Sequence, residues 1–304
     1  MASRSPLLTI AMPVFNGGPT LISAVQSIVD QSFQDWELLI IDDGSSDGGV
    51  EALPQACDPR VRIFQDGTNK GLSARLNQAI ECARGMYFAR MDHDDICHSD
   101  RFSEQISYLI SNNEVDLLAA YCVTINEKDD VVGTLPYSNS HDEICAKPWL
   151  GFYMPHPTWC GKIEWFRKHH YKENPAPYCC EDQELLLRAS ASSQYHVLPK
   201  HLLAYRIRTN TSMSRLWKNR WAWCREQVNF LSRHKAYVYV FLAVLMTFAR
   251  LSIDVGKKIR LFSGFSPLQH GDILPEVLLL WEARIAEVTN TDGCNEKVPP
   301  SVPS

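Results

Sequence analysis

Apolar runs and amphipathic stretches alternate through the first third of the chain. LLTIAM, residues 7–12, is a short apolar run closed by Pro13, and Pro19 then opens a stretch with Leu21, Ile22, Val25, Ile28 and Val29 on one helical face. WELLIIDDG is apolar through its centre and ends in acid and Gly44, with a helix predicted from about Gly48 onward. VRIF predicts a third strand. Residues 71–85 predict a helix, with Leu72, Leu76, Ala79, Ile80 and Ala83 in register and Gly85 as its stop. MYFAR predicts the fourth strand. This alternation implies an α/β fold, a mostly parallel sheet covered by helices.

The second half is less regular. Ser99 or Asp100 can cap a helix reaching Ile110, VDLLAAYCVTI reads as a strand, and EKDDVVG as a hairpin loop. CCEDQELLLRA predicts a helix starting near Glu181, followed by strands at YHVL and LLAYRIR. From Leu216 the pattern turns helical, with Trp217, Trp221 and Trp223 among basic residues, and TNTDGCNEKVPPSVPS reads as a disordered tail. The expected division is a domain over 1–215, a basic and apolar helical extension over 216–288, and a tail over 289–304.

Three polar or glycine-rich loops fall at the carboxyl ends of predicted strands, over 13–18, 42–47 and 92–95. Open α/β sheets bind ligands on that edge. The third loop, within RMDHDDI, gathers three carboxylates behind a buried strand, which is costly unless a cation or strong donors sit among them. Extended geometry places Asp92 and Asp94 on one side and His93 on the other. Two carboxylates on one side suit Mg2+ or Mn2+, which keep other positions for water and substrate phosphates. By itself a D-x-D is weak, and a solvated turn capping the next helix is the structural alternative.

MPVFN after the first strand, IIDDGSSD after the second, then NKGLSARLNQAI and YFARMDHDDI, together resemble family 2 glycosyltransferases in order and spacing, and EDQELLLR resembles that family's downstream acidic motif. The resemblance covers about residues 7–212. It implies the GT-A nucleotide-diphospho-sugar fold, an inverting reaction, a UDP-sugar donor, a divalent metal, and an acceptor hydroxyl on a glycan or lipid-linked saccharide. By position, Asp42 is implied to bond the donor base, with Pro13 and Phe15 lining its pocket. Asp92 is implied to address the ribose or a metal-bound water, Asp94 the metal, and Asp182 to act as general base. Each has a structural alternative: a strand-end turn former for Asp42, a helix cap shared with Glu181 for Asp182. Asp43 and Asp47 are expected to fix the loop and cap a helix. Arg75 lies toward the N-terminal end of its helix, able to reach the donor phosphates or to cover core with its stem. Arg101 is expected to pair with Asp94 or Asp95. Asp182 at a helix start has the macrodipole favouring its ionised form, as a base requires.

The sequence departs from the family at YRIRTNTSMS, where many relatives read Tyr-Arg-Ile-His. Arg208 cannot ligate a metal but can pair with the diphosphate. His156, in MPHPTW, is a possible substitute on the acceptor side, or a histidine packed between prolines.

Composition is ordinary for a globular protein, but charge is not evenly spread. Residues 215–260 hold ten Lys/Arg against Glu226 and Asp254, while the whole chain carries a net charge of -5. A basic block on an acidic body suggests an anionic partner. AYVYVFLAVLMTFA, fourteen apolar residues within that block, falls short of the ~20 needed to span a bilayer. With flanking Trp and Lys/Arg it predicts peripheral contact with an anionic membrane surface. No recognised module accompanies the charge, which argues against nucleic acid. Ten cysteines without a C-x-x-C pair, and an N-terminus lacking a signal-peptide h-region, predict a cytoplasmic protein at the inner face of the membrane. A dehydrogenase is excluded by the absence of G-x-G-x-x-G after any strand. Two rivals remain: a sugar-1-phosphate nucleotidyltransferase, disfavoured because PVFNGGPT lacks a cation, and a non-catalytic GT-A-like binding protein at the membrane.

Overall fold

The computed structural model describes residues 5–173, 179–207, 212–258 and 273–289. The first four predicted strands are present as β1 (Leu8–Val14), β2 (Trp36–Asp42), β3 (Val61–Phe64) and β4 (Tyr87–Arg90), with helices α1 (Thr20–Val29) and α2 (Leu72–Cys82) between them. β1 pairs in parallel with both β2 and β4, and β2 with β3. β1 and β2 are apolar along nearly their whole length because both of their faces are covered. Ile10, Met12, Leu38 and Ile40 join the core beneath α1, while Ala11, Leu39, Ile41 and Phe88 pack beneath α2.

β5 (Ile96–Cys97), α3 (Arg101–Ser111), β6 (Leu117–Ile125), β7 (Val131–Thr134), α4 (His141–Cys145), β8 (Cys160–Lys162), α5 (Ile163–Lys168), α6 (Glu181–Ala189) and β9 (Tyr195–Arg206) complete the sheet and its cover. The strand order is β3-β2-β1-β4-β8-β6-β9-β5, with β7 paired to β6. β1 therefore lies between β2 and β4, and the crossovers diverge there to opposite sides. The crevice beyond its carboxyl end is the switch point where such sheets take their ligands.

Four local expectations are revised. In place of a helix from Gly48 there are turns and a short 3-10 helix at Pro54–Cys57, because Gly48 adopts φ +73 and Pro54 supplies no N–H. Gly85 does not end α2, which stops at Cys82. A Cβ on it would lie 2.5 Å from the Thr9 nitrogen, so it is the absence of a side chain that lets the chain pass close to β1. YHVL and LLAYRIR form one strand, β9, whose pairing with β6 skips Pro199 and Lys200 as an exposed bulge. The fourteen-residue apolar run belongs to a longer helix, Tyr237–Lys258.

The chain continues as α7 (Met213–Arg233), α8 (Tyr237–Lys258) and α9 (Pro275–Thr289). α9 returns to the sheet, where Trp281, Ile285 and Val288 pack on Ile96, Val123 and Ala204. The expected tail over 289–304 lies, apart from Thr289, outside the described residues.

Candidate active site

The three strand-end loops are tied to one another by short polar contacts. Val14 stands in register with Asp42, and Asp43 N–H donates to the Val14 carbonyl at 2.8 Å. Beyond them Asn16 N–H donates to Ser45 Oγ (2.9 Å), Ser46 N–H to Asn16 Oδ1 (2.9 Å) and Gly18 N–H to Asp47 Oδ2 (2.7 Å). His93 of the third loop reaches back to the Pro13 carbonyl at 3.4 Å. Asp42, Pro13, Phe15, Asp92 and Asp94 are thereby brought to neighbouring strand ends. Asp42 is buried and accepts from Ser45 N–H at 3.1 Å, while Phe15 is 49% exposed at the rim.

Asp43 and Asp47 fix the loops as expected, but neither caps a helix: turns follow Asp47, and the N-cap of α2 is Gly71, with no side-chain cap bond. The Asp43 carboxylate accepts from Lys70 N–H (2.7 Å), Gly71 N–H (3.0 Å) and Arg75 Nε (2.9 Å). Arg75 is 1% exposed, and its five N–H groups go to Asp43, Asp66, Gln78 and the Thr68 carbonyl. Its guanidinium is committed to holding the loop before α2 against Asp43. The side chain does not snorkel over the core: its guanidinium is itself buried and ion-paired to Asp43 and Asp66.

The acidic turn is not a simple extended segment. β4 ends at Arg90 and a turn centres on His93 and Asp94, so strict alternation is broken. Arg90 is buried and donates to Asp92 Oδ1, while its Nε and Nη1 have no protein partner. Burial opposes its charge, yet Asp92 beside it, with Asp95 and Glu181 further off, raises its pKa. Arg206 donates its N–H to Asp95 Oδ1 (2.9 Å) and its Nε to the Asp94 carbonyl (2.8 Å). The other Asp95 oxygen, Oδ2, is buried without a partner, and burial together with Asp92 and Asp94 pushes this carboxyl well above the usual range. Arg101 does not pair with these acids. It donates instead to the Arg90 and Pro157 carbonyls, both at 2.8 Å, and so holds the strand that precedes them.

Across the crevice, α6 begins with Glu181 and Asp182, whose charges are felt around Arg90. Burial and the neighbouring Asp182 push Glu181 up to about 7. Asp182 is also raised by burial, against the pull of the Gln183 side chain at 3.2 Å. The macrodipole at the start of α6 does not outweigh that desolvation. His156 is buried, with Nε2 2.8 Å from the Tyr171 hydroxyl and Nδ1 3.9 Å from Glu181. Burial and Arg90 hold its pKa well below the ordinary value, so the ring is neutral at pH 7. Asn77 on α2 fixes Tyr171 through its backbone, accepting from its N–H and donating to its carbonyl, each at 2.9 Å.

Arg90, Tyr171 and Asn77 escape sequence reasoning. The one available signal was a charged residue ending the otherwise apolar run MYFAR. Arg208 lies outside the described residues. For a cation, the buried and unpartnered Asp95 oxygen and the crowding of Asp92, Asp94 and Asp95 fit a hard divalent ion. Among the described residues no three His, Cys, Asp or Glu side chains form a ready cage. Such an ion would draw most of its ligands from phosphate and water.

Comparison with known proteins agrees with this layout. The chain is 25% identical over 279 residues to an uncharacterized glycosyltransferase of Methanocaldococcus jannaschii, covering 83% of this chain and 94% of that one. It is 33% identical over 107 residues to an Escherichia coli UDP-Glc:alpha-D-GlcNAc-diphosphoundecaprenol beta-1,3-glucosyltransferase, a match spanning 35% of this chain and 42% of the relative. Staphylococcus aureus TarS, solved with UDP-GlcNAc, superposes with a TM-score of 0.61 at 15% identity over 92% of this chain and 80% of that one. The mannosyltransferase PcManGT of Pyrobaculum calidifontis, solved with GDP-Man and Mn2+, gives 0.60 at 13% identity over 97% and 89%. The two structures share the GT-A fold with this chain. The family model described as Glycosyl transferase family 2 matches residues 9–191, which carry every strand-end loop and the start of α6. With that match spanning more than half of the sequence, the chain belongs to glycosyl transferase family 2.

Proposed function

We propose that the protein transfers a sugar, with inversion, from a UDP-sugar to a hydroxyl of a growing glycan or lipid-linked saccharide. The observation that carries this reading is the meeting of two carboxylate groups across Arg90, at the switch point of a GT-A sheet. On one side is the acidic turn of Asp92, Asp94 and Asp95, and on the other the Glu181–Asp182 pair. The catalytic unit is residues 1–215, and the helices over 216–288 form an accessory layer. Relatives support the substrate class: the E. coli enzyme is named for a UDP-glucose donor and a lipid-linked acceptor, and the two solved structures hold nucleotide sugars. Hexosyl or N-acetylhexosaminyl transfer at the cytoplasmic face of a membrane follows from the same reading.

Asp42 accepts from the donor base, stacked near Pro13 and Phe15, and Asp92 accepts from the ribose. Mn2+ or Mg2+ held by Asp94 would neutralise the diphosphate, and Arg208 is assigned to the same anion. Asp182, once ionised, takes the acceptor proton on a carboxylate oxygen. The acceptor oxygen forms its bond to the anomeric carbon from the face opposite the departing diphosphate, whose oxygen keeps the bonding pair. Glu181 retains a proton longest and so limits the pair to one charge near neutrality. Neutral His156 and Tyr171 orient that end of the crevice.

The test is release of UDP from a panel of UDP-sugars in the presence of a glycan acceptor. Asp182→Asn should lower turnover by roughly 10²–10⁴ while UDP affinity is unchanged. Turnover that survives in this variant would exclude Asp182 as the base. UDP binding without release from any donor would identify a non-catalytic binding protein.

A further inference from the structure

α7 and α8 form a hairpin closed at Lys235, which adopts φ +57. α8 packs on its partner through Ala243, Thr247, Leu251 and Asp254, all buried, and Asp254 pairs with Arg220 at 3.2 Å. Its opposite face is a stripe at helical spacing: Tyr237, Val238, Phe241, Leu245 and Phe248, with Phe241 67% and Val238 72% exposed. Trp221 of α7 meets Phe248 edge-on at 5.6 Å, so the outward faces of the two helices are continuous. α7 presents Trp217, Lys218, Trp221 and Arg225 at that outward spacing. The turn adds exposed Arg233 and Lys235. Glu226 and Asp254 are the acids of the described hairpin, and both are buried and paired, so its outer surface is apolar, aromatic and cationic without an exposed carboxylate.

We propose that this face docks on the surface of an anionic lipid bilayer. Exposed Trp and Tyr suit the headgroup level, and Phe241, Leu245 and Phe248 suit the acyl boundary beneath it. Lys218, Arg233 and Lys235 answer the negative lipids, while Arg225 at their edge is held by Glu226 at 3.1 Å. A second copy of the chain is disfavoured because a two-fold pairing would face cations with cations and offer no acid to meet them. Residues 237–256 are long and apolar enough to cross a membrane. Spanning would nevertheless place Arg250 and Asp254 in hydrocarbon and break the Arg220 pair, so the helix lies along the surface. The inner side of the same helix is tied toward the start of α6. Tyr239 packs on Trp149 at 4.9 Å, Arg250 donates to the Leu150 carbonyl at 2.7 Å, and the Gln183 side-chain amide, next to Asp182, accepts from Phe152 N–H (2.8 Å) and donates to its carbonyl (3.0 Å). A bilayer seated here would hold the acceptor side of the crevice near lipid-borne saccharide, a purpose that rests on the transferase reading although the docking itself does not.

The experiment is cosedimentation of the full chain with phosphatidylcholine vesicles, with and without about one-third phosphatidylglycerol. Partition should be at least about tenfold stronger on the anionic vesicles and should weaken with added salt. Phe241→Ser with Phe248→Ser, and separately Lys218→Glu with Lys235→Glu, should each weaken it by about fivefold or more. These positions are exposed, so melting temperature and UDP binding without vesicles should be unchanged. The UDP titration reports on the transferase reading alone, so the two ideas can fail separately. Equal partition on both vesicle types, or none on either, would overturn the proposal. Concentration-dependent self-association lost in Phe241→Ser with Phe248→Ser, without vesicle binding, would overturn it in favour of an interface between copies.

Discussion

Glu181 and Asp182 share a small volume in which two charges are expensive, and this sets a pH dependence that can be measured. Glu181 is pushed up to about 7 by burial and by Asp182. A carboxyl raised in the folded state favours folding while protonated. Its contribution is complete below the unfolded-state value of 4.5 and is lost as pH rises through about 7. Glu181→Gln should therefore stabilise the protein by roughly 1–3 kcal/mol at about pH 8 and by little at about pH 4. Thermal unfolding at the two pH values checks this, and equal effects at both would contradict it. The pair loses its protons in two coupled steps. kcat/KM should rise with pH as Asp182 ionises, above the ordinary carboxylate range, and because Glu181 is still protonated through that step Glu181→Gln should leave the limb in place.

Arg75 belongs to the same level of description. Asp43 is nearly as buried as its partner, and removing the guanidinium leaves an uncompensated charge under the loop that flanks Asp42. Arg75→Met should cost about 3 kcal/mol in urea unfolding. UDP binding should weaken as well, since the Asp43-anchored loop adjoins the base pocket. A variant with wild-type stability would refute the anchoring role.

How far the elements were readable depended on how many faces each one buries. β1 and β2 could be read because a strand covered on both sides must be apolar nearly throughout, and α1 and α2 because one face of each is apolar at helical period. β5 has two residues and gives no periodic signal, and the bulge at Pro199 and Lys200 divided β9 into two apparent strands. Gly85 shows a different limit, since a glycine near a helix end suggests a cap, whereas here its role is set by a strand distant in sequence. Gly85→Ala should destabilise by roughly 1–3 kcal/mol, measured as a lower urea midpoint, because its Cβ would meet backbone atoms of Leu8 and Thr9. If the substitution is neutral, the close approach of the chain to β1 is not a constraint.

For the molecule as a whole, the positions of the strand-end loops were legible because topology alone gathers carboxyl ends along one edge of a parallel sheet. The wiring between them was not. Arg90 joins the acidic turn to α6 only after residues from β4, the Tyr171 segment and α6 have met in space, and no local pattern encodes that meeting. The hairpin of α7 and α8 divides in the same way. Its basic and aromatic content could be read directly, but which side chains face outward was settled by the packing of Ala243, Thr247, Leu251 and Asp254.

The account stands on a nucleoside diphosphate sitting at the β1 switch point with a divalent ion at Asp94. Calorimetric titration of the purified protein with UDP, with and without Mn2+, addresses this directly when run alongside Asp94→Ala. Binding of UDP that strengthens with Mn2+ and is lost in Asp94→Ala is the predicted result. A folded protein that ignores UDP, GDP, CDP and dTDP, with the metal present or absent, would contradict the donor site and the transferase reading built on it.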